Sequence, residues 1–275
     1  MKEYILPILI FLGFGALSGI LLLIASKVLA VKTDETEAKI TEALPGANCG
    51  GCGYSGCAGY AAAVAHDGAP TNLCKPGGAD VMKKINAIMG TEGGEFIREV
   101  AYVRCNGCEK ATKDRFTFTG TKACAAVEKF YNGKGECRFG CDGYGDCAAV
   151  CSNDAITIAD GVAVVDPAKC GGCGKCVTAC PNHLIFLRKE TSTVALRCSS
   201  KDSGKVTRTV CTNGCIGCKI CEKKCPHGAV IVADNHAVID YDKCTSCGTC
   251  VSACPRKCLV NITCTHSDMA EQADK

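Results

Sequence analysis

Tryptophan is absent from this 275-residue chain, aromatic residues make up only 5% of it, and conventional apolar residues are thin for its length. Much of the folding free energy must therefore come from something other than an ordinary core. No G-x-G-x-x-G fingerprint follows a strand and no P-loop is present, which excludes the two common nucleotide-binding loops. A formal net charge of +3 is too small an excess for nucleic-acid or polybasic membrane binding. What the chain has in abundance is cysteine, 27 residues. That density marks a disulfide scaffold or a metalloprotein, and the spacing separates the two. The cysteines recur in tight runs with gaps of two and three residues, too close for neighbours to pair readily with each other. Metal ligation then supplies much of the folding free energy, and the metal-free chain is expected to fold poorly.

The N-terminus reads YILPILIFLGFGALSGILLLIASKVLAVK and is uncharged from Ile5 to Ala25. About 20 apolar residues are what one membrane-spanning helix requires, so a single span is expected. The alternative is a secretory signal, since VLA before Val31 resembles a cleavage site. Against it, Lys2 is offset by Glu3 and the apolar stretch is long. Lys27 and Lys32 follow the span, and the positive-inside tendency then puts the rest of a single-pass protein on the cytoplasmic side of the cell membrane. Gly13, Gly15, Ser18 and Gly19 make a small-residue face for another helix, or reflect only the frequency of glycine in spans. Residues 33–43, TDETEAKITEA, read as a charged helical linker.

The first cysteine system is PGANCGGCGYSGCAGYAAAVAHDGAPTNLCKPGG, with Cys49, Cys52, Cys57 and Cys74 spaced C-x2-C-x4-C-x16-C. Four thiolates hold one [4Fe–4S] cluster, and the interleaved glycines let the backbone turn tightly around it and aim its amides inward. A four-cysteine zinc site is the alternative, although such sites normally show two matched C-x2-C knuckles. His66 reads as a surface or packing histidine. At the C-terminus CIGCKICEKKCP and CTSCGTCVSACP each have the form C-x2-C-x2-C-x3-C-P. In two-cluster ferredoxins this form sends three cysteines to one cluster and the fourth to the other. Cys215, Cys218, Cys221 and Cys254 are thus expected around one cluster, and Cys225, Cys244, Cys247 and Cys250 around its partner. The intervening AVIVADNHAVIDYDK alternates as a β-hairpin does.

The middle of the chain repeats this module. Cys141, Cys147, Cys151, Cys170, Cys173, Cys176 and Cys180 each have a counterpart 74 residues later, from Cys215 to Cys254, and AITIADGVAVVD recurs as AVIVADNHAVID at the same offset. Internal duplication follows. Upstream, ECRFGC matches VCTNGC through Cys137 and Cys211, and VRCNG resembles LRCSS with 19 extra residues in the earlier copy. One ligand is missing. Tyr144 stands opposite Cys218, leaving Cys141, Cys147 and Cys180 without a fourth thiolate. Cys137 is the nearest candidate. In the other arrangement Cys137 joins Cys105, Cys108 and Cys124 in a sixth cluster, and the Tyr144 site keeps three cysteines or takes another ligand. Ser152 replaces a proline that shapes a turn without ligating. Cys198, Cys211, Cys258 and Cys264 find no complete set and default to unligated thiols.

An apolar N-terminal segment, a C-x2-C-x4-C-x16-C domain, VRCNGC and two ferredoxin-type modules in this order resemble the B-type subunit of the Rnf electron-transport complexes, in the long form of anaerobic bacteria. The resemblance covers essentially the whole chain. It implies a membrane complex that passes electrons from reduced ferredoxin to NAD⁺ and couples this to Na⁺ or H⁺ translocation. Its partners would be reduced ferredoxin, a flavin-containing NADH-binding subunit and membrane redox subunits, with no nucleic acid. The expected fold is α+β: a transmembrane anchor (1–31), a linker (32–45), a small [4Fe–4S] domain (46–100), a cysteine-containing connecting segment (101–136), tandem ferredoxin-like modules (137–190 and 191–265) and a polar tail (266–275). At least five [4Fe–4S] clusters are expected, six if Cys105, Cys108 and Cys124 ligate. No catalytic acid, base or nucleophile is required for electron transfer, and no ion path is visible in the apolar segment. The rival reading is a soluble polyferredoxin, or the electron-input subunit of another dehydrogenase or hydrogenase. A structural zinc protein is the rival from a different class.

Overall fold

The structure, a computed structural model, describes residues 2–28, 34–92 and 94–262. It is α+β, built from helices α1 (Lys2–Val28), α2 (Glu35–Ala43), α3 (Cys57–His66), α4 (Gly78–Met89), α5 (Cys124–Tyr131), α6 (Asp146–Ala149), α7 (Lys175–Ala179), α8 (Gly204–Val210), α9 (Ile220–Lys224) and α10 (Thr249–Ala253). The strands are β1 (Glu99–Val103), β2 (Ile156–Ala159), β3 (Val162–Val165), β4 (Ile185–Lys189), β5 (Val194–Leu196), β6 (Val230–Ala233), β7 (His236–Ile239) and β8 (Leu259–Asn261).

The transmembrane anchor expected at residues 1–31 is corrected. Among the described residues no helix is long and apolar enough to cross a membrane. Met1 and residues 29–33 lie outside the described residues, as do Cys264 and the expected polar tail.

In the four-cysteine domain α2, α3 and α4 pack around Ile40, Tyr60, Val64 and Ile85, all essentially inaccessible to solvent. The segment expected as a linker is thus part of this core through Ile40 and Leu44. Its helix starts where Asp34 Oδ1 accepts the Thr36 amide at 3.0 Å, a side-chain N-cap. Tyr60 serves the ligand loop directly. Its hydroxyl donates to the Pro70 carbonyl at 2.6 Å and accepts the Leu73 amide at 3.3 Å, fixing the backbone that leads into Cys74.

Two modules of one design follow. Each has a hairpin, β2–β3 or β6–β7, and a separate antiparallel pair, β1–β4 or β5–β8. Val103 pairs with Ile185 as Leu196 pairs with Leu259. Strand β1, straddling the boundary expected at residue 100, therefore belongs to the sheet of the first module. Both hairpins turn on two residues of positive φ, Asp160 (47°) and Gly161 (78°) in one, Asp234 (47°) and Asn235 (63°) in the other. Such turns match the twist of the flanking strands. The cysteine loop lies directly against each turn. A Cβ on Gly143 would overlap the Gly161 carbonyl, and one on Gly217 (φ 63°) would stand 2.8 Å from the Asn235 carbonyl oxygen.

The parts are joined at named contacts. Lys75 pairs with Glu99 at 3.3 Å, and a Cβ on Gly51 would come within 2.9 Å of the Cys173 carbonyl oxygen, so two cysteine loops touch there. Between the modules the Thr212 amide donates to the Ala111 carbonyl at 2.8 Å, Asn213 Nδ2 to Asn106 O at 2.9 Å, and Ser199 Oγ to Arg104 O at 3.2 Å.

Substitution of Gly217 tests the loop-to-turn contact. Gly217→Ala combines left-handed strain with steric overlap, whereas Gly228→Ala has the strain alone (φ 59°, nothing within 4 Å), worth about 1–2 kcal/mol. The bleaching of cluster absorbance in guanidinium is expected to be at least about tenfold faster for Gly217→Ala, about 1.4 kcal/mol or more. Equal rates would show that the close approach costs nothing.

Candidate metal centres

Each cysteine loop of the two modules is short and runs into a helix of four or five residues that carries the next-to-last thiol of its run, Cys147, Cys176, Cys221 or Cys250. In the four-cysteine domain the thiol of Cys74 faces those of Cys57, Cys49 and Cys52. The loop is held by Asn48, whose Oδ1 accepts the Cys57 amide at 2.8 Å at the start of α3. His66 lies outside this group and pairs with Glu37 at 3.5 Å.

In the second module Cys215, Cys218, Cys221 and Cys254 wall a cavity of about 330 Å³. Across the module Cys250 faces Cys244, Cys225 and Cys247. The fourth cysteine of each run thus crosses to the other run's site. A fifth thiol, Cys258, is buried in the wall where the first module has Leu184. Its sulfur lies 3.5 Å from Cys254.

In the first module Cys176 faces Cys170 and Cys173. Cys151 packs on the same core, its sulfur accepting the Ala155 amide at 3.4 Å as that of Cys225 accepts the Ala229 amide at 3.3 Å. The neighbouring cavity, about 370 Å³, is walled by Cys141, Cys147, Cys180 and Cys124. Cys124 stands where the second module uses Cys218. It opens α5, in the stretch that makes the first copy longer, and Asp146 holds it there. The Asp146 carboxylate accepts the Cys124 and Ala125 amides, each at 2.9 Å, where the second module has Ile220. Tyr144 does not line this cavity. Its ring packs on Phe118, centroids 6.0 Å apart, with Lys134 Nζ 5.5 Å from its centroid, and its amide points to the Cys124 sulfur.

Cys137 does not reach this cavity. It lines another, between the modules, with Cys105, Cys198 and Cys211 and with Cys141, which the two cavities share. The three cysteines grouped in the sequence are therefore separated: Cys105 is in the interface cavity, Cys124 at the Tyr144 site, and half-buried Cys108 lines neither. The places of Cys124, Cys198 and Cys211 escaped the sequence reading. The signal available was the repeat itself, which makes Cys105 and Cys198 one equivalent pair and Cys137 and Cys211 another.

Among the described residues every cysteine is a free thiol, and no three His, Cys, Asp or Glu side chains converge on a single-ion position. The thiols instead surround voids. That suits a cluster, in which each thiolate binds a different iron of one cubane.

A family described as an Fe-S cluster matches residues 44–76, and two families described as 4Fe-4S dicluster domains match residues 169–229 and 214–259. The B-type subunit of the ion-translocating oxidoreductase complex of Methanosarcina acetivorans is 40% identical over 248 residues, 90% of this chain and 94% of that protein. The corresponding subunit of the Na(+)-translocating ferredoxin:NAD(+) oxidoreductase complex of Acetobacterium woodii is 43% identical over 260 residues, 94% of this chain and 78% of that one. That of the proton-translocating ferredoxin:NAD(+) oxidoreductase complex of Clostridium ljungdahlii is 35% identical over 278 residues, 99% and 97% of the two chains. This chain belongs to the family of Rnf B-type subunits. It is an iron–sulfur electron-transfer subunit.

Electrostatics in this Rnf protein favour ligation over free thiolate. Burial pushes the thiols of Cys141, Cys147 and Cys176 up to about 12 and those of Cys105, Cys137 and Cys221 up to about 11. Iron must displace those protons, so ligation strengthens as pH rises. The thiols of Cys254 and Cys215 shift the other way, downward, because each shares a hydrogen bond with the Cys258 thiol.

The place of Cys124 makes a specific prediction. Cys124→Ala leaves three thiolates and is expected to lose about one iron, with a three-iron EPR signal in the oxidised protein. Adding Tyr144→Cys, at the position equivalent to Cys218, restores the four-iron form. An unchanged spectrum in Cys124→Ala would remove Cys124 from the site.

Proposed function

We propose that this chain is the electron relay of an ion-translocating ferredoxin:NAD⁺ oxidoreductase complex. In this reading it takes electrons from reduced ferredoxin and hands them to a flavin-containing NADH-binding subunit and to membrane redox subunits, with its cysteine domains on the cytoplasmic side. The observation that carries it is the pair of like-built cavities, Cys124, Cys141, Cys147 and Cys180 against Cys215, Cys218, Cys221 and Cys254, each next to a second cysteine set. The proposed ligand sets are these two together with Cys49, Cys52, Cys57 and Cys74; Cys151, Cys170, Cys173 and Cys176; and Cys225, Cys244, Cys247 and Cys250. A bound [4Fe–4S] cluster accepts and releases one electron at a potential tuned by hydrogen bonds, charge and exposure.

The chain's own part is to hold the sites close together. Helix α6, which carries Cys147 of one site of the first module, packs on α7, which carries Cys176 of the other. The contact of Gly51 with Cys173 brings the four-cysteine domain onto that module. Apolar walls from Val103, Leu184 and Ile185 line one cavity, and Ala237 and Leu259 line its counterpart. Amides aimed at the sulfurs, such as that of Ala101 at 3.4 Å from Cys170, favour the thiolate form. Exposed Cys218 and Cys247 bring both sites of the second module close to solvent, where a partner's cofactor can approach.

The test is rapid mixing of the anaerobically loaded full chain with reduced low-potential ferredoxin. Absorbance near 400 nm is expected to bleach on mixing, and the bleaching to be slower at high salt. Loaded protein that dithionite reduces but ferredoxin does not would contradict the assigned donor.

A further inference from the structure

We propose that Cys105, Cys137, Cys198 and Cys211 hold a further [4Fe–4S] cluster between the two modules. This rests on the reading that the other cysteine sets hold clusters, and adds a site that links them.

The four thiols line one cavity at the module junction. They converge across it. A Cβ on Gly107 would lie 3.5 Å from the Cys105 sulfur and 3.8 Å from that of Cys211, on the opposite module. Cys137 in turn faces Cys211 and Cys198. The cavity is at least as roomy as the two proposed to hold clusters. Because no three ligating side chains close on one ion position among the described residues, a cubane suits the arrangement better than a zinc ion.

Local chemistry is the same at all four cysteines. Each sulfur accepts the amide two residues along: Gly107 to Cys105 at 3.4 Å, Phe139 to Cys137, Ser200 to Cys198 and Asn213 to Cys211. Amides aimed in this way stabilise a thiolate. Charged groups line the site, Arg104 and Arg197 with the symmetry of the repeat, beside Lys134 and the carboxyl groups of Glu109, Asp114 and Asp142. Arg104, which precedes Cys105, faces Cys198, and Arg197, which precedes Cys198, faces Cys105. Arg104 lines the cavity, and its Nε is buried without a hydrogen-bond partner. A buried donor left unmet is costly, and an acidic sulfur cluster in the cavity supplies its acceptor.

The position explains what the site does. The Cys141 amide donates to Cys105, and the Cys215 amide donates to Cys198 at 3.2 Å. Cys141 and Cys215 belong to the two like-built sites. The interface cluster is therefore one cysteine away from a site of each module and joins the two modules into one conductor.

The experiment counts iron, zinc and acid-labile sulfide on the anaerobically reconstituted full chain and on three variants: Cys105→Ala with Cys211→Ala, Cys137→Ala with Cys198→Ala, and all four together. Six clusters give about 24 irons, and each variant is expected to fall to about 20, the fourfold variant losing no more than either pair. Cys108→Ala is expected to keep the full count. Wild-type protein with about 20 irons, with or without one zinc, overturns the proposal while leaving the other sites standing, and so do pair losses that add to about eight. Fewer than about 14 irons would instead bring down the wider cluster reading. The wild-type count decides the matter even if a variant fails to fold.

Discussion

Four thiolates around one void is the constraint on which the rest of this structure depends. A cubane takes its ligands from four directions, and a short chain segment meets that demand only by turning sharply and repeatedly. Regular structure is correspondingly slight: α6 has four residues, and α7, α9 and α10 have five each. Helices so short do not persist on their own, and isolated two-stranded pairs are marginal. Ligation is what makes such a fold stable, since metal binding and folding are one free energy here. The residues that cannot be exchanged are then those that let the loops bend, such as Gly143 and Gly217 against the hairpin turns, together with the thiols themselves.

Duplication gave the two modules the same frame but not the same ligands. At the site where the second module uses Cys218, the first has Tyr144 and reaches outside the frame for Cys124. Three departures from the repeat fit together: the longer segment that contains α5, the aspartate at 146 that caps it, and the tyrosine that leaves the cavity and packs on Phe118. Each of the two cavities is thus walled by four cysteines, although one of them comes from a different place in the chain. The second module carries its own departure in Cys258, a thiol 3.5 Å from the Cys254 sulfur where its counterpart is Leu184.

Much of this was legible in the sequence, for physical reasons. Hairpins showed as alternation around Asp-Gly and Asp-Asn, and both formed with left-handed residues at the turn. Ligands supplied within one run were legible because loop geometry fixes the spacing. Ligands brought from a distance were not: Cys124 and Cys105 lie in a connecting segment whose spacing says nothing about where the chain returns, and Cys198 and Cys211 meet Cys105 and Cys137 only once the modules pack. Hydropathy over residues 5–25 suggested a span, but among the described residues no helix is long and apolar enough to cross a membrane. The charged segment after it read as a linker, because a single buried face at Ile40 and Leu44 is faint among so many charges.

The cysteine sets form a connected series: the four-cysteine domain touches the first module at Cys173, and the first module meets the second across the cavity of Cys105, Cys137, Cys198 and Cys211. Anomalous diffraction at the iron edge from anaerobically grown crystals of the loaded chain tests this most directly. Six iron clusters are expected, with one between the modules bound by those four cysteines and one beside Tyr144 bound by Cys124. Iron at five positions with none between the modules, or a cluster beside Tyr144 that Cys124 does not touch, would contradict it.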